Sequence, residues 1–152
     1  MATNLAERSG TLDLSGLAAQ LRLVITRTAR RLRQEAGTDL GPSQTAALAT
    51  VERHGPLTPT ELARMERIQR PTATRIVARL EEVGLVERVR DPRDARSFTV
   101  RATAEGRALM KKLRTRKNAY LARRLRDLSD DDLATLDRAA AILEALLERE
   151  RR

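Results

Sequence analysis

The chain has 152 residues, a formal net charge of +9 at pH 7 and no cysteine. This length suits one compact domain with helical extensions, and the charge favours a polyanionic partner such as nucleic acid or an anionic membrane. The absence of cysteine excludes disulfides, thiolate metal sites and thiol-based redox sensing.

No stretch of the sequence predicts export or membrane insertion. The first 14 residues carry charges and no apolar run, so they do not resemble a signal peptide. No segment approaches the roughly 18 consecutive apolar residues needed to span a bilayer. We therefore expect a cytoplasmic protein with no membrane partner.

Two helices are predicted in the first third of the chain. Apolar residues recur at spacings of three and four over residues 13–33, which indicates one long helix. Gly37 and the Gly41–Pro42 pair end it. A shorter helix is predicted over residues 43–53, and the sequence His54-Gly55-Pro56 stops that helix.

The next segment has the pattern of a helix-turn-helix. Thr58 and Glu61 form a capping box around Pro59, which suits the first helical position, so a short helix is expected over residues 59–66. A second helix is predicted over residues 71–83, with apolar residues on one face and polar residues on the other. A short helix, a turn and an amphipathic helix are typical of this motif.

A β-hairpin is predicted directly after these helices. Residues 85–90 and 97–101 alternate between apolar and polar side chains, as strands do, with Phe98 and Val100 facing inward. The segment 91–96 between them is charged and rich in turn formers. A hairpin that follows a helix-turn-helix is a wing.

Two more helices complete the pattern. Thr103 begins a helix that extends to about residue 126, and residues 103–126 carry nine basic residues and one acidic residue. Its basic side chains either extend a phosphate-facing surface or form a solvated face: Arg107, Lys111, Lys112, Arg114, Arg116 and Lys117. Ser129 caps the last helix, in which an apolar seam steps by three and four through Leu133, Leu136, Ala140, Leu143 and Leu147. This seam either joins two protomers or packs within one chain.

In this order the elements closely resemble those of the MarR family of bacterial and archaeal regulators. The specific stretches are residues 57–63, residues 71–86 and the wing sequence Asp-Pro-Arg-Asp-Ala-Arg at 91–96. Ala102 departs from the leucine usual in the family, which removes packing volume under the wing. The resemblance implies a mainly α fold with a small β-hairpin wing, ordered as four helices, two strands and two helices, in an obligate dimer.

The resemblance also implies a division of the chain and a function. Residues 1–12 are a flexible N-terminus, residues 13–37 and 104–152 form a helical dimerisation region, and residues 38–103 form the DNA-binding lobe. The implied function is a sequence-specific transcription regulator, a repressor, that binds a palindromic operator in double-stranded DNA as a homodimer. The alternative is an architectural protein that binds DNA without sequence preference.

Candidate DNA contacts lie on the second helix of the motif and on the wing. Base edges in the major groove are read by polar side chains near the start of such a helix. The candidates there are Gln69, Arg70, Thr72, Thr74, Arg75 and Arg79, of which Arg75 suits guanine. By resemblance, Arg96 enters the minor groove, Asp94 orients its guanidinium and Arg93 contacts phosphate. The plainer alternatives are a solvated Arg75 and a wing-tip salt bridge that touches no DNA.

The resemblance further implies a dimer layer and an effector. The first, fifth and sixth helices form the layer, and its candidate interface residues are Leu17, Leu21, Leu133, Leu136, Leu143 and Leu147. A small aromatic or anionic compound is expected to release the DNA. The candidate ligand residues are Arg27, Arg31, His54 and Tyr120, although His54 also suits a plain helix end and Tyr120 plain packing.

An enzyme is not expected. The sequence contains no Gly-rich phosphate loop, no metal-ligand cluster and no arrangement that makes the single histidine part of a catalytic triad. We therefore predict no catalytic residues, no cofactor and no metal site.

Overall fold

The computed structural model describes residues 13–92 and 94–149, so the expected flexible segment 1–12 lies outside the described residues. The described part contains six helices and one two-stranded sheet, in the order that the sequence predicts. The elements are α1 (Leu14–Ala36), α2 (Pro42–His54), α3 (Pro59–Glu66), α4 (Arg70–Glu82), β1 (Val86–Asp91), β2 (Asp94–Ala102), α5 (Ala104–Leu125) and α6 (Asp130–Arg149).

The helix-turn-helix forms as its caps predict. The Thr58 hydroxyl accepts a hydrogen bond from the Glu61 backbone at 3.2 Å, and the Glu61 carboxylate accepts one from the Thr58 backbone at 2.7 Å. These bonds satisfy amide groups that the first turn of α3 otherwise leaves unpaired. The inner face of α4 is buried as predicted, with Ala73, Ile76, Val77 and Leu80 in the core.

The wing is longer and its loop tighter than the sequence indicates. The strands pair antiparallel from Val86 opposite Ala102 to Asp91 opposite Asp94, with an irregularity next to Asp91. The segment 91–96, expected to be a loop, is therefore mostly strand. The sheet also gains an unpredicted partner, because Leu57 exchanges two backbone hydrogen bonds with Val100, at 2.7 and 3.0 Å.

One apolar core lies between the helices and the wing, and it includes Ala36, Met110 and Leu113 from outside the predicted lobe of residues 38–103. It is built by α2, α3, α4, both strands and the first half of α5, and its most deeply buried side chains include Leu48, Leu62, Leu80, Val100 and Leu113. The start of α5 is held close to the wing by its cap, since the Thr103 hydroxyl accepts from the Gly106 backbone at 3.0 Å and donates to the Gly84 carbonyl at 2.7 Å.

The first and last helices lie mostly outside this core. Within its described length α1 buries Ala36 alone and packs along α5, while α6 buries no residue. The apolar seam of α6 is therefore only partly covered by the described part of its own chain: Leu136 and Leu147 are 47% and 66% exposed, whereas Leu133 and Leu143 are half-buried. None of the helices in residues 13–92 and 94–149 is both long and apolar enough to cross a membrane.

Candidate nucleic-acid interface

The outer face of α4 presents a row of polar side chains to solvent. Thr74, Arg75 and Arg79 are exposed along the helix, Gln69 and Arg70 are exposed at its start, and Thr72 is half-buried. The structure thus brings all six candidates onto or next to one helix whose opposite face is fixed in the core. A rigid helix with one polar side free is the geometry that the major groove admits.

The six candidates differ in what they already contact. The Thr74 hydroxyl donates to the Arg70 carbonyl at 3.0 Å, and Arg79 forms an ion pair with Glu82 at 2.7 Å. Arg70 and Arg75 form no ion pair with any residue in the described part of the chain. Their positive charges are therefore uncompensated at short range, unlike that of Arg79.

The structure describes only some of the wing candidates. Asp94 opens β2, is exposed and has an interaction within the chain. Arg96 lies in β2 but its side chain is outside what the structure describes, as is Arg93 altogether. The start of α3, the start of α4 and the wing enclose a polar cavity of about 290 Å³, lined among others by Thr60, Arg70, Asp94 and Ser97. The sequence reasoning missed Thr60 and Ser97, because neither has a pattern that places it beside the other elements.

Three of the basic residues of α5 form hydrogen bonds within the fold. Arg114 forms two hydrogen bonds to the Glu52 carboxylate of α2, at 3.1 and 3.2 Å. Arg116 donates to the carbonyls of Ala36 and Gly37 at the end of α1, at 2.9 and 3.2 Å, and Arg107 donates to the Ala102 carbonyl. Both interpretations of this basic face are therefore incomplete, because three of its arginines connect α5 to its neighbours.

Three of the four candidate ligand residues lie together. Arg27, Arg31 and Tyr120 line one open cavity of about 430 Å³ between α1 and α5. The guanidinium carbons of Arg31 and Arg124 lie 5.7 and 5.5 Å from the centre of the Tyr120 ring. Hydrogen bonding from Arg31, followed by the effect of Arg124, lowers the pKa of the Tyr120 phenol. His54 is elsewhere, exposed as the last residue of α2.

A third cavity was not anticipated from the sequence. It has a volume of about 190 Å³ and lies where the end of α1, the start of α2 and the middle of α5 meet. Ala36, Leu40 and Leu113 supply apolar walls, and Arg33 and Lys117 supply positive charge. Its residues are spread over 85 positions of sequence, between Arg33 and Lys117, which is why no local pattern signals it.

The helix-turn-helix, the exposed arginines of α4 and the adjoining hairpin define a winged helix-turn-helix protein of the class that binds DNA. The family model described as "MarR family" matches residues 40–98. Its range spans α2 to the middle of β2, which is the lobe that carries these features.

Similar proteins extend this match to most of the chain. The HTH-type transcriptional regulator Mb0904 of Mycobacterium bovis is 35% identical over 133 residues, covering 87% of this chain and 93% of its own length. A solved MarR family protein of Bacillus stearothermophilus matches with a TM-score of 0.77 at 26% identity, over 88% of this chain and 94% of that one. A structure of the multiple antibiotic resistance repressor MarR matches with a TM-score of 0.70 at 25% identity, over 84% and 94%.

The chain therefore belongs to the MarR family and is a DNA-binding transcriptional regulator with a winged helix-turn-helix fold. The family resemblance seen in the sequence is confirmed, and so is the order of four helices, a hairpin and two helices.

Proposed function

We propose that this protein is a repressor that binds a palindromic operator as a homodimer and catalyses no reaction. The observation that carries the proposal is the exposed pair Arg70 and Arg75 on α4, neither of which has an ion-pair partner in the described chain. A guanidinium in that position can donate two hydrogen bonds to a guanine edge. Repression is proposed because a structural neighbour is named a repressor.

The homodimer is supported by apolar surface that one chain leaves uncovered. Leu17 and Leu21 of α1 are 41% and 37% exposed, and Leu136 and Leu147 of the α6 seam are exposed as well. One recognition helix covers half of an operator, whereas a twofold-related pair presents two helices about 34 Å apart. We therefore propose that α1, α5 and α6 join two protomers, with Leu133 and Leu143 in the same seam.

Selection of bound duplexes from a random pool tests the operator. The expected product is an inverted repeat whose half-sites are centred about one helical turn apart. Binding of the selected duplex and of random DNA is then compared over a salt series. An architectural protein would recover no motif and would bind both duplexes with similar affinity at every salt concentration.

Arg75→Ala tests direct reading by α4. We expect operator affinity to fall by about 1–3 kcal/mol while affinity for random DNA changes little, because one bidentate base contact is lost. Arg138→Ala, which removes the same charge from α6, is the control and is expected to bind like the parent protein. An Arg75→Ala variant that keeps the full preference for the operator would contradict this role.

The proposed contact of Arg96 with the minor groove is tested by a separate variant. Arg96→Ala is expected to weaken operator binding without changing the fold or the dimer, because the wing tip lies outside the apolar core. Loss of an arginine from the minor groove removes an attraction to its negative potential. Full affinity in this variant would refute the minor-groove contact.

We propose in addition that a small aromatic anion releases the DNA. The cavity between α1, α2 and α5 suits such a compound, because its walls are apolar and Arg33 and Lys117 are basic. It adjoins both the dimerisation region and the lobe, so a ligand that prefers the DNA-incompetent spacing shifts the equilibrium toward it.

Benzoate is a suitable probe for this site. It is expected to lower operator affinity in the parent protein and less so in Lys117→Met. Arg31→Met is the matched variant for the cluster of Arg27, Arg31 and Tyr120, which is the second place where an aromatic anion would fit. An unchanged benzoate response in both variants would exclude both sites.

A further inference from the structure

Arg88 occupies an unusual place on the wing. It pairs with Val100 across the hairpin, and residues that pair in this way share a face of the sheet. Val100 is buried, and so is Val86, two residues before Arg88 on the same face. Arg88 therefore leaves the sheet on the side that faces the core, at the point where that side changes from apolar to charged residues.

The Arg88 side chain contacts two other elements of the fold. The Arg88 Nε lies 2.9 Å from a carboxylate oxygen of Glu81, in the last turns of α4. Its guanidinium carbon lies 4.6 Å from the centre of the Phe98 ring on β2. Arg88 itself belongs to β1, so its contacts join the recognition helix to both strands of the wing.

A second ion pair of the hairpin provides an internal comparison. Arg101 Nε lies 2.8 Å from Glu87, also across the strands. Glu87 and Arg101 oppose each other in the register and alternate with Arg88 and Val100, so they lie on the other face of the sheet. This pair joins the two strands to each other and leaves α4 untouched.

We propose that Arg88 is a positioning residue that holds the wing against α4, so that helix and wing meet adjacent grooves of the operator together. The inference rests on the proposed function, because it requires the wing to contact DNA. The ion pair is partly exposed and contributes little to folding. A weak ion pair is still sufficient to bias the orientation of the wing. Molecules whose wing is turned away from the DNA-binding orientation do not bind fully, so the apparent affinity falls with the fraction of correctly oriented wings.

The sharpest test uses the acidic partner, because charge and positioning then predict opposite results. Glu81→Gln removes a negative charge near DNA, which by electrostatics alone strengthens binding. Loss of the link is expected instead to weaken operator binding about threefold to fivefold, through a larger population of misplaced wings. Glu87→Gln, which removes the same charge from the other ion pair, is expected to bind as tightly as the parent or more tightly. Operator affinity by fluorescence anisotropy at fixed salt gives both values.

A double-mutant cycle separates the positioning role of Arg88 from the proposed contact between the wing and DNA. Arg88→Met keeps the side-chain volume over Phe98 but not the ion pair, and Arg101→Met is its charge-matched control. Arg88→Met is expected to weaken binding about threefold to fivefold beyond the effect of Arg101→Met, but to have little effect in an Arg96→Ala background, where the wing no longer contributes.

Three outcomes would overturn the inference. Binding by Glu81→Gln as tight as by Glu87→Gln, with Arg88→Met equal to Arg101→Met, shows that no positioning link exists. Equal losses from Arg88→Met in both backgrounds show that Arg88 acts apart from the wing. An Arg96→Ala variant that binds the operator as tightly as the parent protein excludes the proposed contact between the wing and DNA. Because that variant is measured alone, this result is distinct from the other two.

Discussion

At the scale of single residues, the turn of the helix-turn-helix contains a backbone conformation that its side chain disfavours. Arg67 ends α3 with φ 54° and ψ 42°, in the left-handed region. A side chain with a Cβ atom is strained there, whereas glycine is not. The turn keeps this conformation because the next amide, that of Ile68, donates to the Ala63 carbonyl at 2.9 Å.

Replacing this residue by glycine is expected to stabilise the protein. Arg67→Gly should raise the free energy of unfolding by about 0.5–1 kcal/mol, since relief of the strained backbone exceeds the added freedom of the unfolded chain. Urea denaturation measures the change. The control Arg64→Gly, within α3, should lower stability by about 1 kcal/mol. A loss of stability in Arg67→Gly would contradict the strain.

The capping box of α3 predicts a pH dependence. Hydrogen bonds from Thr58, chiefly from its backbone, lower the pKa of the Glu61 carboxyl below its ordinary value of 4.5. The unfolded chain therefore binds the proton more readily than the folded one. The resulting stability is fully present above pH 4.5 and is lost as the pH falls through the lower folded-state pKa.

Glu61→Gln isolates this effect. Glutamine also caps at this position but does not titrate in this range, so the variant should remain folded at neutral pH. Its unfolding free energy should fall less steeply than that of the parent below pH 4.5. Denaturation curves at several pH values compare the two slopes, and identical slopes would show that Glu61 does not contribute.

At the scale of elements, α5 connects the parts of the molecule. At its start, the Thr103 hydroxyl donates a hydrogen bond to the Gly84 carbonyl, just before the wing. Met110 and Leu113 of α5 are buried in the core. Arg114 and Arg116 form hydrogen bonds to α2 and to the end of α1. The close approach at its start depends on Gly106, which is buried. A Cβ atom on Gly106 would overlap the carbonyl oxygen of Leu85, which immediately precedes β1.

Gly106→Ala is therefore expected to destabilise the lobe, although alanine favours helices in general. The overlap is with backbone, which cannot rotate away, so we expect a loss of about 2–3 kcal/mol despite the gain in helix propensity. Thermal unfolding measures it. Gly84→Ala is the comparison: nothing lies within 4 Å of its Cβ position, so it should lose about 1 kcal/mol from its positive φ alone. Parent-like stability in Gly106→Ala would disprove the close contact.

At the scale of the whole molecule, the winged lobe and the helices α1 and α6 differ in how much of their apolar surface the chain itself buries. The winged lobe and α5 bury one core together, whereas α1 and α6 leave most of their apolar residues exposed. Exposed leucines on neighbouring turns of a long helix are typical of an association surface. The stability of the helical region is therefore expected to depend on protein concentration.

Leu136→Lys tests this association. A charge in the seam should shift the protein toward monomer and lower its operator affinity, because the unpaired recognition helix reads one half-site. Ala145→Lys, on the opposite side of α6, is the matched control and should remain dimeric. Analytical ultracentrifugation measures the state of each variant. A dimer in Leu136→Lys as stable as in the control would place the interface elsewhere.

The sequence by itself determined the order of the elements and the buried face of α4, because caps, breaks and apolar periodicity act within a few residues. It also placed the candidate DNA contacts Arg70 and Arg75 on the outer face of one helix. The alternating residues 85–90 and 97–101 predicted the wing, and family resemblance added the roles of its residues in DNA binding. These features depend on local backbone preferences and on which side of a helix is apolar.

The tertiary structure alone decided which distant residues meet. It drew Arg114 and Arg116 into the fold, separated His54 from Tyr120 and placed Arg88 between Glu81 and Phe98. It also added Leu57 to the edge of the wing and opened the cavity beside Lys117. Such contacts follow from how helices and strands pack, and a charged side chain looks the same in sequence whether it faces solvent, a carbonyl or another helix.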